Sequence, residues 1–424
     1  MKRNPTEEYL KKGIRPGDEF QVGKIDESVK LAPIKRVAVF AESFLPKIDG
    51  VAKTAVLVIR HLQNTGREVV IFAPDSAGKT PETVGNSRVI TVPSWELPFA
   101  PETKVGFPAL LVANHLDQFQ PDMIHLFSPA VLSVAGVLFG QNRRIPVLAN
   151  YQTDLPGYAA RYGYNLLHNP VRDGLRVMHN RAHLTLVPSH SNIRQLKEWG
   201  FRRLRFWARG MDAGRFSPMR RSDAMRKKLL AGRPDDSLLM IYVGRLAPEK
   251  RIDLLVEAAK VDGVALTIIG DGVAREELEE KFGDSAHFAG YMFGDELAAA
   301  YASADLFTFT GTHETFGQVV MEAMGSGLPV LVPNSGGVVD LVLDGMNGYI
   351  CQVDPEDYKQ KVIKLRDNPV HRQRMAQLAL EYALQRPWER LMEELETYYW
   401  EAYTLNERLK QSARFAFSIP ETGT

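Results

Sequence analysis

GTHETFGQVVMEAMGSGLPV, residues 311–330, is the stretch on which the reading of this chain turns. The apolar run before it, ADLFTFT (304–310), reads as a buried strand. Helical periodicity begins at Phe316, continues through Val319, Val320, Ala323 and Met324, and stops at Gly325-Ser326-Gly327. On that reading Glu314 lies in the loop before the helix and Glu322 lies about two turns inside it. The amides of Phe316 and Gly317 are then expected at the helix N-terminus, unpaired and beside the positive end of the dipole, where a phosphate can sit. A carboxylate on either side of such a seat, with Thr315 between, suits a ligand carrying phosphate and several hydroxyls, such as a nucleotide sugar. The blander alternative makes Glu322 a surface helix residue and Glu314 an ordinary loop carboxylate.

Upstream, LLMIYVGRLAPEKRIDLLVEAAK (238–260) reads as a buried strand Leu238–Val243, a turn from Gly244 to Pro248, and an amphipathic helix from about Ile252. Arg245 and Lys250 stand at the carboxyl end of that strand. Arginine offers a planar fork to a diphosphate and lysine a mobile point charge.

G-R-L-x-x-E-K followed by E-x7-E resembles the donor-binding half of the retaining family 4 glycosyltransferases with the GT-B fold. FAESFLPKIDGVAKTAVLVIRHL (40–62), IHLFSPAVLSVAG (124–136), NYQTDLPGYAARYG (150–163), LVPSHSNIRQLKEWGF (186–201) and FWARGMDAGRFSP (206–218) follow in that family's order. The resemblance runs from about Ile34 to Tyr399. The subgroup that shares the YQTD-PG, WARG-D and HETF-QVV strings is the actinobacterial GDP-mannose-dependent α-mannosyltransferases acting on glycolipids.

Composition fits a large globular enzyme. At 424 residues the chain is too long for one ordinary core. Its 45% hydrophobic and 24% charged content exclude bulk disorder. The one cysteine, Cys351, cannot form an internal disulfide, which favours a reducing compartment. No apolar run approaches the roughly 18 residues of a membrane span; the longest, AVLSVAGVLFG, reads as a buried helix. The first residues lack the apolar core of a secretory signal. These features lead to the expectation of a cytoplasmic protein.

The net charge of +1 hides an asymmetry: residues 34–215 carry +9 and residues 216–424 carry −9. Arg172, Arg176 and Arg181, then Arg202, Arg203, Arg205 and Arg209, cluster in the basic half. Two readings stay open: domains held partly by complementary charge, or a patch resting on anionic lipid headgroups at the inner face of the membrane. No nucleic-acid motif accompanies the charge, so nucleic acid is not expected as a partner.

Apolar strand candidates alternate with helices along the whole chain. In the first half they are Val37–Phe40, Val69–Phe72, Val89–Val92, Met123–Leu126, Val147–Asn150 and Leu184–Val187. In the second they are Leu238–Val243, Ala265–Ile269, His287–Phe288, Leu306–Thr310, Val330–Pro333 and Tyr349–Cys351. This predicts an α/β protein of GT-B type, two facing doubly wound Rossmann-like domains. The expected order is an arm over residues 1–33, read as mobile, an acceptor domain over 34–215 and a donor domain over 216–387. The last segment, 388–424, holds a crossover helix returning to the first domain, and a tail.

Ligands of open α/β sheets bind beyond the carboxyl ends of the strands. The loop ESFLPKIDGVAKT should therefore line a substrate site, with Gly50 letting the backbone approach a phosphate or sugar. The resemblance implies that this loop, including Asp49, touches acceptor and donor phosphate. It also implies that Arg245, Lys250 and the Phe316–Gly317 amides hold the diphosphate, Glu322 the ribose and Glu314 the transferred sugar. By the same resemblance the base lies near Gly290–Met292, which brings in Tyr291 and Met292. Many retaining GT-B enzymes have a histidine where Gln152 stands; glutamine cannot act as an acid or base but still hydrogen-bonds near the reacting sugar. Asp154 is an acceptor ligand or a helix cap. Retention needs no protein nucleophile, since the leaving phosphate can take the acceptor proton. No D-x-D occurs, so neither metal nor other cofactor is expected. The alternatives are a UDP-glucose- or UDP-N-acetylglucosamine-dependent transferase for a soluble or polysaccharide acceptor, and a non-catalytic nucleotide-sugar-binding module.

Overall fold

The computed structural model describes residues 33–417 except 48, 77, 98–99, 107–109, 128–129 and 158–163. The predicted arm at residues 1–33 thus lies almost wholly outside the described residues. The described chain forms two compact units. One contains residues 189–192 and 208–391. The other contains described residues 33–188, residues 193–207, and the C-terminal segment from Met392. The division falls at Trp207/Ala208, a few residues before the sequence-based boundary at 215/216.

The N-terminal unit is built on β1 (Arg36–Ala41), β2 (Glu68–Pro74), β3 (Thr83–Val84), β4 (Ser87–Val92), β7 (Met123–Phe127), β8 (Val147–Asn150), β9 (Leu184–Val187) and β10 (Leu204–Phe206). Their spatial order is β10-β9-β8-β7-β1-β2-β4-β3, parallel except for β3 against β4. A separate antiparallel hairpin pairs β5 (Ser94–Leu97) with β6 (Ala100–Gly106). The six sequence-read strands of this half are all present. The additions are β3, β10 and the hairpin, whose short or polar sequences carry no apolar run.

The second unit holds β11 (Leu238–Val243), β12 (Val264–Ile269), β13 (Ala286–Gly290), β14 (Leu306–Thr308), β15 (Val330–Pro333) and β16 (Gly348–Cys351). Their order, β13-β12-β11-β14-β15-β16, is fully parallel. Every residue of β11 and β12 is buried. Helices cover both faces of such a sheet, so its central strands read as unbroken apolar runs rather than alternating ones. Renumbered within the unit, the order is 3-2-1-4-5-6, and the chain reverses direction across the sheet between β11 and β14.

A 30-residue helix, Trp388–Phe417, ends the described chain. From Met392 onward it packs on the N-terminal unit. Leu395, Tyr399 and Ala402 are buried on one face. Glu396 receives Arg67 through two bonds of 2.7 Å and His61 Nε2 at 2.7 Å. Glu401 pairs with Arg205, Tyr398 donates to the Phe206 carbonyl, and Asn406 donates to the Arg144 carbonyl. Two acidic residues of this helix, Glu396 and Glu401, thus meet basic residues of the first half, whereas Glu407 pairs with Lys410 on the helix itself.

Several of the clustered arginines are engaged within the chain, while Arg181, Arg202 and Arg203 remain exposed. Arg205 is engaged by Glu401. The Arg203 guanidinium donates to the carbonyls of Asn180 and Ala182, tying down the end of helix His168–Arg181. Arg172 and Arg176 both approach Asp173. Helix Val131–Arg143, expected to be buried, buries Leu132, Gly136, Val137 and Gly140 but exposes Val131, Val134 and Leu138 by about two-fifths each.

Candidate active site

At the carboxyl end of β11 the chain turns through Gly244 and Arg245 into a short 3-10 turn, Pro248–Lys250. The expected amphipathic helix from Ile252 starts as a second 3-10 turn, Ile252–Leu255, and becomes α-helical only at Val256. At the carboxyl end of β14 the chain runs through Glu314, Thr315 and Phe316. Strands β11 and β14 are hydrogen-bonded neighbours, so the two turns lie side by side where the strand order reverses.

There Lys250 Nζ lies 2.6 Å from Glu314 Oε2. Arg245 Nη2 lies 2.5 Å from Glu249 Oε1, whose side chain is 7% exposed. Lys250 is no exposed loop cation. Its side chain is 18% exposed, its ammonium lies 5.7 Å from the Phe309 ring centroid, and its carbonyl accepts the Thr310 hydroxyl at 2.6 Å. The buried Tyr242 phenol sits among these four charges. Burial first, and then the two carboxylates against the two cations, hold its pKa well above the ordinary tyrosine value.

The helix that carries Glu322 is Gln318–Gly325, not one starting at Phe316. Gly317 precedes it as the N-cap residue at φ 91°, a left-handed conformation that a side chain would strain, and a Cβ there would lie 2.5 Å from Val338. With the helix starting at Gln318, the amides at its N-terminus are those of Gly317, the N-cap, followed by Gln318 and Val319. Phe316 is instead a core residue, 2% exposed. Glu322 falls just over one turn into the helix rather than two, and it is buried. Thr315 and Met292 are buried; Tyr291 is exposed, stacks on Phe293 at 5.6 Å and donates to the Asp271 carbonyl.

In the N-terminal unit the reversal of strand order falls between β1 and β7. Asp49 caps helix Gly50–Asn64, one carboxylate oxygen accepting from the Val51 and Ala52 amides at 2.9 Å each. Its other oxygen takes the Ser43 hydroxyl at 2.6 Å and Lys47 at 3.1 Å. Burial alone would raise its pKa; Lys47, Ser43 and the helix amides overcome that and bring it below the usual aspartate value. Gly50 is the first residue of that helix. Gln152 is buried two residues beyond β8. Asp154 accepts from the Gly157 amide at 3.1 Å, the capping geometry that was one of its two readings.

Sequence reasoning passed over Glu42, although it directly follows an apolar strand. It is 4% exposed, and one oxygen accepts from the Ala130 and Ser133 amides at 3.0 and 2.9 Å, capping helix Val131–Arg143. Burial outweighs those bonds and pushes its pKa up to about 7.

Residues 48–215 match the family model "Glycosyltransferase Family 4", and residues 224–381 match "Glycosyl transferases group 1". The chain is 38% identical over 368 residues to a GDP-mannose-dependent alpha-mannosyltransferase of Mycobacterium tuberculosis, covering 86% of this chain and 96% of that protein. The chain belongs to the family 4 glycosyltransferases. This glycosyltransferase is also 33% identical over 364 residues to the sulfoquinovosyl transferase SQD2 of Arabidopsis thaliana, covering 83% of this chain and 70% of that one. Among solved structures it resembles the sucrose-phosphate synthase of Thermosynechococcus elongatus, with a TM-score of 0.71 at 18% identity over 87% of this chain and 99% of that one. At that identity the likeness speaks for the fold, two Rossmann-like domains of the GT-B type.

Proposed function

We propose that this glycosyltransferase moves a mannosyl group from GDP-mannose to a hydroxyl of a glycolipid-type acceptor, keeping the α configuration. The observation that carries the reading is the Lys250–Glu314 contact at the strand-order reversal of the second unit, with Glu322 buried one helical turn beyond. The GDP-mannose and α-mannosyl assignments rest on the mycobacterial relative.

In this reading Lys250 and Arg245 stabilise the negative charge that develops on the leaving diphosphate, assisted by the first amides of helix Gln318–Gly325. Glu322 accepts from the ribose hydroxyls, and Glu314 orients Lys250 while meeting the hydroxyls of the transferred sugar. Tyr291, beside the base, offers an exposed aromatic face. The acceptor hydroxyl attacks from the face the diphosphate leaves, and a phosphate oxygen takes its proton. Gln152 and the Asp49–Gly50 turn line the acceptor side. The cations of the protein do the work that a metal does elsewhere.

The glycolipid reading implies work at a membrane surface from the cytoplasmic side. Among the described residues no helix is long and apolar enough to cross a membrane. Peripheral contact is supported by the exposed Val131, Val134 and Leu138, three and four residues apart on one helix. Helix His168–Arg181, which packs on it, is preceded by Leu166, 93% exposed.

The test is melting of the purified protein with GDP-mannose, UDP-glucose or UDP-N-acetylglucosamine, since a ligand of the native state raises the melting point by mass action. GDP-mannose should give the largest shift, and Lys250→Ala should abolish most of it. A larger shift with a UDP-sugar would move the donor assignment to the UDP class.

A further inference from the structure

The loop that carries Glu314 is held by residues far away in sequence. Gly337 N donates to the Glu314 carbonyl at 2.6 Å, and the Ser335 hydroxyl donates to the Thr312 carbonyl at 2.7 Å. Asn192 Nδ2 donates to the Thr315 carbonyl at 3.1 Å, a buried bond spanning 123 residues of sequence. The approach is close because no side chains intervene. A Cβ on Gly336 would lie 2.8 Å from the Glu314 carbonyl oxygen, and one on Gly337 would lie 2.0 Å from that of Thr315 and 2.8 Å from Ser189 Oγ.

Asn192 is itself placed by an anchored helix turn. It lies in helix His190–Glu198, where its amide donates to Ser189 Oγ at 3.2 Å. The next residue back, Ser191, gives both its donors to Asp340: the amide to Oδ2 at 2.9 Å and the hydroxyl to Oδ1 at 2.7 Å. Asp340 sits in the 3-10 turn Gly337–Leu341, three residues after Gly337, the second of the two glycines that press on the Glu314 loop. Its carbonyl accepts the Tyr382 hydroxyl at 3.1 Å. Residues 189–192 cluster with the second unit, so all these bonds lie inside one compact body. A carboxylate accepting two donors at a helix N-terminus gains from both charge assistance and the dipole.

We propose that Asn192 and Asp340 are positioning residues for Glu314. Asp340 pins the first turn of helix His190–Glu198, Asn192 on that turn holds the Thr315 carbonyl and so fixes the Thr315–Phe316 peptide, and with Gly337 N on the Glu314 carbonyl the peptides on both sides of Thr315 are held. The proposal rests on the reading of Glu314 as a donor-sugar residue. Neither residue touches the donor in this scheme. Both act by keeping the Glu314 carboxylate where it meets Lys250, and a displacement of about 1 Å at such a site can cost about a hundredfold in rate.

The experiment compares Asn192→Ala, Ser191→Ala, Glu314→Gln and the Asn192→Ala/Glu314→Gln pair, measuring kcat and KM for GDP-mannose, the Kd of GDP and the melting point. Asn192→Ala should lower kcat by roughly tenfold or more and leave the GDP Kd within about twofold. The double variant should be no slower than Glu314→Gln alone, because a residue acting through another is not additive with it. Ser191→Ala removes one of the two bonds to Asp340 and keeps the amide bond, so it serves if Asn192→Ala does not fold; it should lower kcat in the same sense, by about two- to fivefold. Wild-type kcat in the folded variant, or losses that multiply in the double variant, would overturn the positioning role. If Glu314→Gln itself turns over like wild type, the donor-site reading falls and the proposal falls with it. If Glu314→Gln is slow but the positioning variants are not, only the proposal falls.

Discussion

Lys250 Nζ and Glu314 Oε2 are 2.6 Å apart, although 64 positions separate them in sequence. The contact joins two turns that follow adjacent parallel strands, so it is a product of the strand order rather than of any local motif. It makes the cation and the carboxylate a single unit. Each holds the other's side chain out of the many rotamers a long chain can take, and each is only partly exposed.

A charge stabiliser placed in this way should be costly to remove. Lys250→Ala should lower turnover by about a hundredfold or more, in line with the loss of one transition-state charge contact. It leaves Glu314 half-buried without its cation, so some loss of stability should accompany it, unlike the loss of a solvated surface lysine. Steady-state kinetics with a melting curve measures both. Turnover within twofold of wild type would remove Lys250 from the mechanism.

The two glutamates should separate by ligand. Glu322→Gln should weaken binding of GDP and GDP-mannose alike, because its proposed partner is the ribose. Glu314→Gln should leave GDP binding close to wild type and act on the sugar and on turnover. Calorimetric titration with GDP and with GDP-mannose decides this, and equal losses of GDP affinity in both variants would contradict the division of roles.

Acid should destabilise the N-terminal unit. Burial holds His125 and His179 neutral, with pKa values lowered to about 3, and His183 lowered to about 4. The unfolded chain binds protons at these groups below about pH 6.5 while the folded one does not, so stability is lost as pH falls from there towards 3. Glu42 acts in the opposite sense. Its folded pKa of about 7 exceeds the unfolded value near 4.5, so its contribution is fully present below that value and fades as pH rises through 7. Three groups against one make the acid side steeper. Denaturant melts between pH 4 and 8 should show this, and Glu42→Gln, which removes the opposing contribution, should steepen the loss of stability as pH falls from 7 to 5.

The C-terminal helix should depend on its buried ion pair. Arg67 is 2% exposed at its side chain and Glu396 14%, and the pair is doubly hydrogen-bonded. Glu396→Ala leaves Arg67 and His61 buried without their partner, which should cost about 3–5 kcal/mol. Urea unfolding of wild type and variant measures it, and a loss below about 1 kcal/mol would place the pair among surface bridges.

The twelve central strands were legible because a parallel sheet covered on both faces demands unbroken apolar runs, and LLMIYV or VLAN can hardly be read otherwise. β10 was not, because LRF alternates apolar with arginine and its pairing to β9 depends on neighbours. In the site, Arg245, Lys250, Glu314 and Glu322 were readable from their spacing around predicted turns. The start of helix Gln318–Gly325 was misjudged by two residues: Phe316 continues the apolar period, but Gly317 takes a left-handed conformation and stops the helix behind it. Asp340, Ser191 and Asn192 could not be found at all. Their bonds span 149 and 123 residues, and nothing in a local window distinguishes them from surface polar residues.

The central claim is transfer of an α-mannosyl group from GDP-mannose. It is tested most directly by incubating the purified chain with a diacylglycerol-based glycolipid acceptor in vesicles and, in parallel, GDP-mannose, UDP-glucose or UDP-N-acetylglucosamine. The anomeric configuration of the product is read by NMR. The account predicts one hexose added from GDP-mannose, α-linked, and far less product from either UDP-sugar. A β-linked product, or transfer from a UDP-sugar with none from GDP-mannose, would contradict it.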